Sequence, residues 1–198
     1  MTRLLLIRHA TTEMVGKRIA GRLKAVHLNE EGRNQAKHLA ERLRAVPIQA
    51  IYSSPIERAI ETAEPLAQIQ QLEVAVHQDL IELDFGEWTG AAIQDLESDH
   101  RFQLFNTFRS ATQIPSGEWM SSAQVRMVNC LQELCCRHPD QTIAVVSHGD
   151  LIKAAVAHYA GIHLDLFQRI EIDPASVSII EVYPETARIK LLNGTGSF

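Results

Sequence analysis

Two histidines in this sequence share one setting. His9 follows Arg8 at the end of the apolar run Leu4-Leu5-Leu6-Ile7, and His148 follows Ser147 at the end of Ile143-Ala144-Val145-Val146. Continuous apolar runs of this length suit strands covered on both faces. In an open α/β sheet such strands end at the ligand crevice, and parallel neighbours end on the same edge. The two imidazoles are therefore expected to converge. A third segment, Ala50-Ile51-Tyr52-Ser53-Ser54, ends likewise and runs into a helix with Arg58 near its first turn, which aims a second guanidinium at the same point. His148-Gly149 also opens a helix, where free N–H groups and the helix dipole favour an anion. Two arginines, two histidines and helix N-termini in one crevice want a dianion. Phosphate is the obvious candidate, because guanidinium forks match its oxygens two at a time.

The elements that must hold these groups follow from apolar periodicity and turn signals. Residues 3–8 read as a strand. Residues 30–45 read as a helix with Ala36, Leu39, Ala40 and Leu43 on one face, Asn29 as N-cap and Glu30-Glu31 at its positive end. Pro47 breaks that pattern, and residues 50–54 form a short strand. Pro55 is expected to open the next helix with Ser54 as its N-cap, and Pro65 to bend or interrupt it. Residues 73–77 read as a strand, 80–90 as a loop, and 91–97 and 100–109 as helical segments. A turn at residues 115–119 precedes a long helix to about Arg137, with Val125, Val128, Leu131, Leu134 and Cys135 facing inward. Residues 142–147 are the second buried strand. Residues 150–161 form a helix capped by Asp150 and ended by Gly161. Residues 176–183 and 187–192 pair about Pro184-Glu185. Strands alternating with helices predict an α/β layered fold.

The length of 198 residues suits one domain, with 45% hydrophobic and 22% charged residues. A formal charge of −5 argues against a nucleic-acid-coating surface. No apolar run approaches the ~20 residues of a membrane helix, and the N-terminus turns polar too soon for a signal peptide. Neither a nucleic-acid nor a membrane partner is expected, and the cytoplasm is the expected compartment. Cys130, Cys135 and Cys136 form no CxxC and read as reduced thiols. No clustered metal-ligand spacing occurs, and arginines beside the histidines would repel a cation. The other histidines have no patterned partners, and Trp88 and Trp119 read chiefly as core residues near the expected mouth.

Five motifs in chain order resemble those of the histidine phosphatase superfamily, the phosphoglycerate mutase-like proteins. Arg8-His9-Ala10 stands where that family has Arg-His-Gly, and Thr12 matches the threonine that follows. Leu28-Asn29-Glu30-Glu31-Gly32-Arg33 with Gln35-Ala36 matches the segment opening the first long helix. Ser53-Ser54-Pro55, Arg58-Ala59 and Thr62-Ala63 match the second arginine motif. Glu82, Phe85-Gly86-Glu87 and Gly90 match the loop that bears an acid, and Ser147-His148-Gly149 matches the second histidine motif.

The resemblance implies a single domain over 1–198. Its fold would be a three-layer α/β/α sandwich with a mostly parallel central sheet, an antiparallel edge, and a helical cap-like insertion at about 91–122. It implies that His9 is the nucleophile and forms a phosphohistidine, while Arg8, Arg58 and His148 bind the phosphoryl group. Glu82 would protonate the leaving oxygen and later deprotonate the attacking water, with Asp84 and Glu87 as alternative acids in the same loop. Thr12, Gly149 and, near the mouth, Arg22 are further expected substrate contacts. A neutral imidazole (reference pKa ~6.5) is a usable nucleophile near neutrality, and its second nitrogen is expected to donate to a backbone carbonyl. A carboxyl beside phosphate should titrate above its reference of ~4.3. The implied activity is that of a metal-independent phosphomonoesterase, without cofactor, acting on a small phosphorylated metabolite. A phosphoglycerate mutase-type transfer and a non-catalytic phosphate-binding regulator are the alternatives. Three departures stand out. Ala10 replaces a glycine, Val15 stands where many members have a phosphate-binding asparagine, and Trp119 stands where a serine is common.

Overall fold

A computed structural model describes residues 1–196. In chain order the elements are β1 (Thr2–Arg8), α1 (Glu30–Arg42), β2 (Ala50–Ser53), α2 (Glu57–Gln70), β3 (Val74–Val76), α3 (Ile93–Leu96), α4 (His100–Thr107), α5 (Met120–Arg137), β4 (Thr142–Ser147), α6 (Gly149–Ala160), β5 (Val177–Val182) and β6 (Ala187–Gly194). The strands form one six-stranded sheet in the order β3-β2-β4-β1-β5-β6. The first four in that order run parallel; β5 lies antiparallel to β1, and β6 antiparallel to β5.

The two apolar runs take the central positions because every one of their side chains has somewhere dry to go. Alternate side chains of a strand point to opposite faces. Leu4, Leu6, Ile143 and Val145 pack with Leu131 and Leu134 of α5 and Leu151 and Ile152 of α6. Leu5, Ile7, Ala144 and Val146 pack on the other face with Leu39 and Ala40 of α1 and Ala59, Ala63 and Leu66 of α2. Helices on both faces of the sheet make the three-layer sandwich that the family resemblance implies, within the layered α/β fold that the alternation predicts. Each fully buried leucine or isoleucine contributes about 1.5–3 kcal/mol. The register aligns Arg8 with Ser147, and the His9 N–H extends the ladder by donating to the Ser147 carbonyl (2.9 Å). The next residue of each strand therefore emerges at the same edge.

Several local expectations are corrected. α2 begins at Glu57, with Ile56 extended at its cap position and no side-chain cap. Ser54 is two residues too early to cap it; its hydroxyl accepts from the Ile56 N–H (3.3 Å), ahead of the helix, and meets the His148 ring. Pro65 does not interrupt α2, which continues to Gln70; packing of Thr62, Ala63, Leu66 and Ala67 offsets the one missing backbone bond. Asp150 lies inside α6, whose N-cap is His148. Val125 is 57% exposed, and α5 instead buries Met120, Ala123, Met127, Val128, Cys130, Leu131 and Leu134. Between residues 91 and 122 lie α3, α4 and a turn, packed on the sheet-covering core through Leu96, Phe105 and Ile114.

α1 starts as the sequence requires: Asn29 Oδ1 accepts from the Gly32 N–H (2.8 Å). Gly32 has a second role. A Cβ there would sit 2.0 Å from the Thr11 carbonyl oxygen, so only glycine lets the helix start lie against the segment that follows His9. We expect Gly32→Ala to lower the unfolding midpoint by about 4–10 °C in a thermal melt; an unchanged midpoint would contradict this packing.

Candidate active site

The ends of β1, β4 and β2 meet in one cleft of about 210 Å³, lined on its polar side by Arg8, His9, Thr12, Arg58, Glu82, Gly149 and Asp150. Met14, Val15, Ile19, Phe85 and Ile93 supply its apolar wall, with Arg18 on the same lining. The His9 and His148 rings lie edge to face, 5.2 Å between centres.

Hydrogen bonding assigns the protons. The Nδ1 of His9 is 2.8 Å from the Ala10 carbonyl oxygen, which can only accept, so Nδ1 carries the hydrogen and Nε2 the lone pair. Arg58 Nε donates to that Nε2 (3.2 Å). Arg58 Nη2 donates to the Gly21 carbonyl (2.8 Å) and faces Nδ1 of His148 (3.2 Å). That nitrogen is therefore an acceptor, and the opposite ring N–H of His148 donates to Ser54 Oγ (2.7 Å). Gly21 has φ +48°, a left-handed backbone that glycine adopts without a Cβ clash, and it turns its carbonyl to the guanidinium. Arg8 Nη1 donates to the Ile172 carbonyl (2.6 Å). Arg8 Nε and Arg58 Nη1 are buried donors without a protein partner.

Burial first, then the Arg58 and Arg8 charges, hold His9 well below the usual imidazole value. Burial and Arg58 do the same to His148. Glu82 moves the other way. It is 8% exposed, and burial followed by the Asp150 charge raises its carboxyl to about 7, against Arg58, the Leu83 N–H and Arg8. Its Oε1 accepts from the Leu83 N–H (2.8 Å), and its Oε2 lies 3.8 Å from Nδ1 of His148. Near neutrality the imidazoles of His9 and, behind it, His148 are neutral beside two guanidinium groups, and Glu82 holds its proton to higher pH than an ordinary carboxyl.

The structure sorts the other expected contacts. Thr12 lines the cleft, and its hydroxyl accepts from the Met14 N–H (3.2 Å). A Cβ at Gly149 would come 3.2 Å from Arg8 Nε, so glycine admits that guanidinium. Arg22 is not brought into the cleft. Its Nε donates to the Glu82 carbonyl (2.8 Å), Nη2 pairs with Glu118 (2.9 Å) and Nη1 with Asp84 (3.5 Å). Arg126 also holds Glu118 (3.0 Å) and the Ile81 carbonyl (2.9 Å), so these arginines brace the loop that presents Glu82. Asp84 and Glu87 face away, paired with Arg22 and Arg101. Trp88 is buried against Phe102 and Phe105, and neither tryptophan lines the cleft. Ala10 has no positive φ, so its methyl is unstrained there.

Sequence reasoning overlooked Ser54 as the buried partner of the His148 ring and Asp150 as a group of the cleft, having read both as helix caps. Their places directly before the Arg58 helix and two residues after His148 were the available signals. Among the described residues no group of three or more His, Cys, Asp and Glu is arranged to hold a metal ion, and no helix is long and apolar enough to cross a membrane.

Known proteins share this architecture. The family model of the histidine phosphatase superfamily (branch 1) matches residues 4–195. Phosphoserine phosphatase 1 of Hydrogenobacter thermophilus is 34% identical over 199 residues, covering 98% of this chain and 93% of that protein. A bifunctional protein of Mycobacterium tuberculosis is 36% identical over 202 residues, and there the match spans 54% of the longer protein. The solved structure of YhfR from Bacillus stearothermophilus superimposes with a TM-score of 0.91 at 30% identity, covering 98% of this chain and 97% of that one.

The buried Glu82 carboxyl has a consequence for stability. Its native value of about 7 exceeds the ordinary glutamate value of 4.5. Between those two values the native state binds more protons than the unfolded state, so this group's contribution declines as pH rises through that window. The amide introduced by Glu82→Gln does not titrate. The stability of this variant minus that of wild type should therefore grow from pH 4.5 to 7 and level off above, by roughly 3 kcal/mol. Denaturant titrations in phosphate-free buffer read this; a pH-independent difference would refute a buried, proton-holding Glu82.

Proposed function

The chain belongs to the histidine phosphatase superfamily (branch 1), and from that premise we propose that it is a metal-independent phosphomonoesterase working through a phosphohistidine on a small phosphorylated metabolite. One observation carries the reading: the His9 Nε2 lone pair shares a cleft with two buried guanidinium donors, Arg8 Nε and Arg58 Nη1, that have no protein partner. A phosphoryl group offers acceptors for those donors. The nearby cations repel a metal ion, which favours charge stabilisation by guanidinium instead. A cleft of about 210 Å³ suits a small ester, as does the name of the Hydrogenobacter relative, a phosphoserine phosphatase.

In the first step the Nε2 lone pair attacks phosphorus in line, and the ester P–O bond breaks. An alkoxide is a poor leaving group; the protonated Glu82 carboxyl gives it a proton and becomes a carboxylate. Arg8 and Arg58 hold the non-bridging oxygens, the main demand of a loose phosphoryl-transfer transition state, and His148, whose Nδ1 accepts from Arg58 Nη2, orients that guanidinium. Arg58 Nε yields its bond to His9 as Nε2 turns to phosphorus. The Nδ1–H bond to Ala10 keeps the ring oriented and supports the positive charge it gains. In the second step water attacks phosphorus, the P–N bond breaks, and Glu82 takes the water proton, so inorganic phosphate leaves and the enzyme is restored.

Phosphate release from p-nitrophenyl phosphate should persist in excess EDTA and fall by at least about 10³-fold in His9→Ala; wild-type rates in that variant would remove the proposed nucleophile. Glu82→Gln should lower kcat/KM for an alkyl phosphate such as phosphoserine by about 10²-fold, and for p-nitrophenyl phosphate much less, because that leaving group needs little protonation. Equal losses on both esters would remove Glu82 as the acid, and primed isomer formation without phosphate release would point to a mutase.

A further inference from the structure

Arg109 is a buried arginine outside the set that meets the phosphoryl group. It is 4% exposed. Its guanidinium carbon lies 4.3 Å from the ring centre of Phe105 and 4.5 Å from that of Phe167. Nη2 donates to Asn106 Oδ1 (2.8 Å), and Nη1 faces Met120 Sδ (3.9 Å) and Asp150 Oδ2 (3.4 Å). Asp150 is its one ion-pair partner among the described residues. A cation packed on aromatic faces in the core is strongly held, and a buried cation needs a carboxylate that stays in place. Asp150 belongs to both worlds: it reaches Arg109 in the core and lines the cleft beside Arg8, His9, Arg58 and Glu82.

We propose that Arg109 and Asp150 are positioning residues for the reaction: Arg109, locked between two aromatic rings, fixes the Asp150 carboxylate on the cleft wall, and that fixed negative charge governs proton donation by Glu82. The inference rests on the reading of Glu82 as the general acid. After burial, Asp150 is the largest influence holding the Glu82 proton. The charged and titratable side chains facing Glu82 are Arg58, Arg8, Asp150 and His148; those facing Asp150 are Arg109, Arg8 and Lys153. Two guanidinium groups pull the Glu82 proton off, against burial, which is the larger influence. The anchored carboxylate opposes them without touching the nucleophile.

The test is the basic limb of the kcat/KM profile for an alkyl phosphate, where the acid form of Glu82 is lost. Asp150→Asn should move that limb down by roughly 0.5–1 pH unit, while Asp150→Glu, which keeps the charge, should leave it near wild type. Arg109→Lys should preserve the limb, and Arg109→Met should lower it by freeing Asp150 to turn toward Arg8 or solvent. An upward move in Arg109→Met would mean that the arginine screens Asp150 and would overturn its positioning role. An unmoved limb in Asp150→Asn would overturn the whole proposal. If the limb survives in Glu82→Gln, the failure lies with Glu82 as the acid. The carboxyl ¹³C titration of Glu82, assigned by loss of the signal in that variant, then still reads the pair without turnover: a downward shift in Asp150→Asn supports the fixed-charge effect, and no shift refutes it.

Discussion

A guanidinium that is 1% exposed must find its solvation inside the protein. Arg58 finds it in neutral acceptors: the Gly21 carbonyl, Nε2 of His9 and Nδ1 of His148. Moving such an ion out of water costs several kcal/mol, and neutral acceptors return only part of it. Both imidazoles must accept, so neither carries a proton on the nitrogen facing the cation. One guanidinium thereby selects the tautomer of His9, keeps the second histidine neutral, and leaves Nη1 in search of an acceptor. The site is an undercompensated cation held in a dry place. An anion with several oxygens is what it lacks.

The rest of the molecule holds that arrangement still. The β1–β4 register brings the two histidines to one edge, and the Ala10 carbonyl and Ser54 hydroxyl fix their rings from behind. Gly149 admits the Arg8 side chain, and Gly32 admits the start of α1 against Thr11. Glu82 reaches the cleft on a loop rather than a strand, and loops need bracing to be accurate. Glu118 supplies it by gathering Arg22 and Arg126, which in turn grip the Glu82 and Ile81 carbonyls. Arg22 thus serves the cleft through the backbone, one layer behind where its guanidinium was expected.

The carboxyl groups show how a carboxyl can keep its proton beside two guanidinium groups. Two guanidinium groups beside a glutamate would ordinarily depress it. Burial and a second carboxylate outweigh them here, and the second carboxylate is held from the core by an arginine that itself stays away from the cleft. Stability and function pull against each other at this point, because a buried acid that keeps its proton to about 7 weakens the folded state once it ionises.

Much of this was legible in the sequence, for identifiable reasons. Two apolar runs ending in histidine could only be central strands, since every side chain needed cover, and parallel neighbours share an edge. Asn29 before Glu30-Glu31 marked a helix start because capping is local. Local logic failed where a side chain had two local uses or a distant partner. Ser54 and Asp150 have the chemistry of caps, yet Ser54 binds the His148 ring and Asp150 pairs with Arg109. Val125 is exposed although Val128, Leu131 and Leu134 of the same helix are buried as periodicity predicts, because its first turns bury Met120, Ala123 and Met127 instead. By itself the sequence determined the strand ends, the order of the layers and which residue types meet at one edge, because burial and parallel pairing act on patterns along the chain. Only the tertiary structure decided which carboxyl enters the cleft, which arginine stays outside it and which tautomer each histidine holds, because those depend on partners tens of residues away whose distances no spacing encodes.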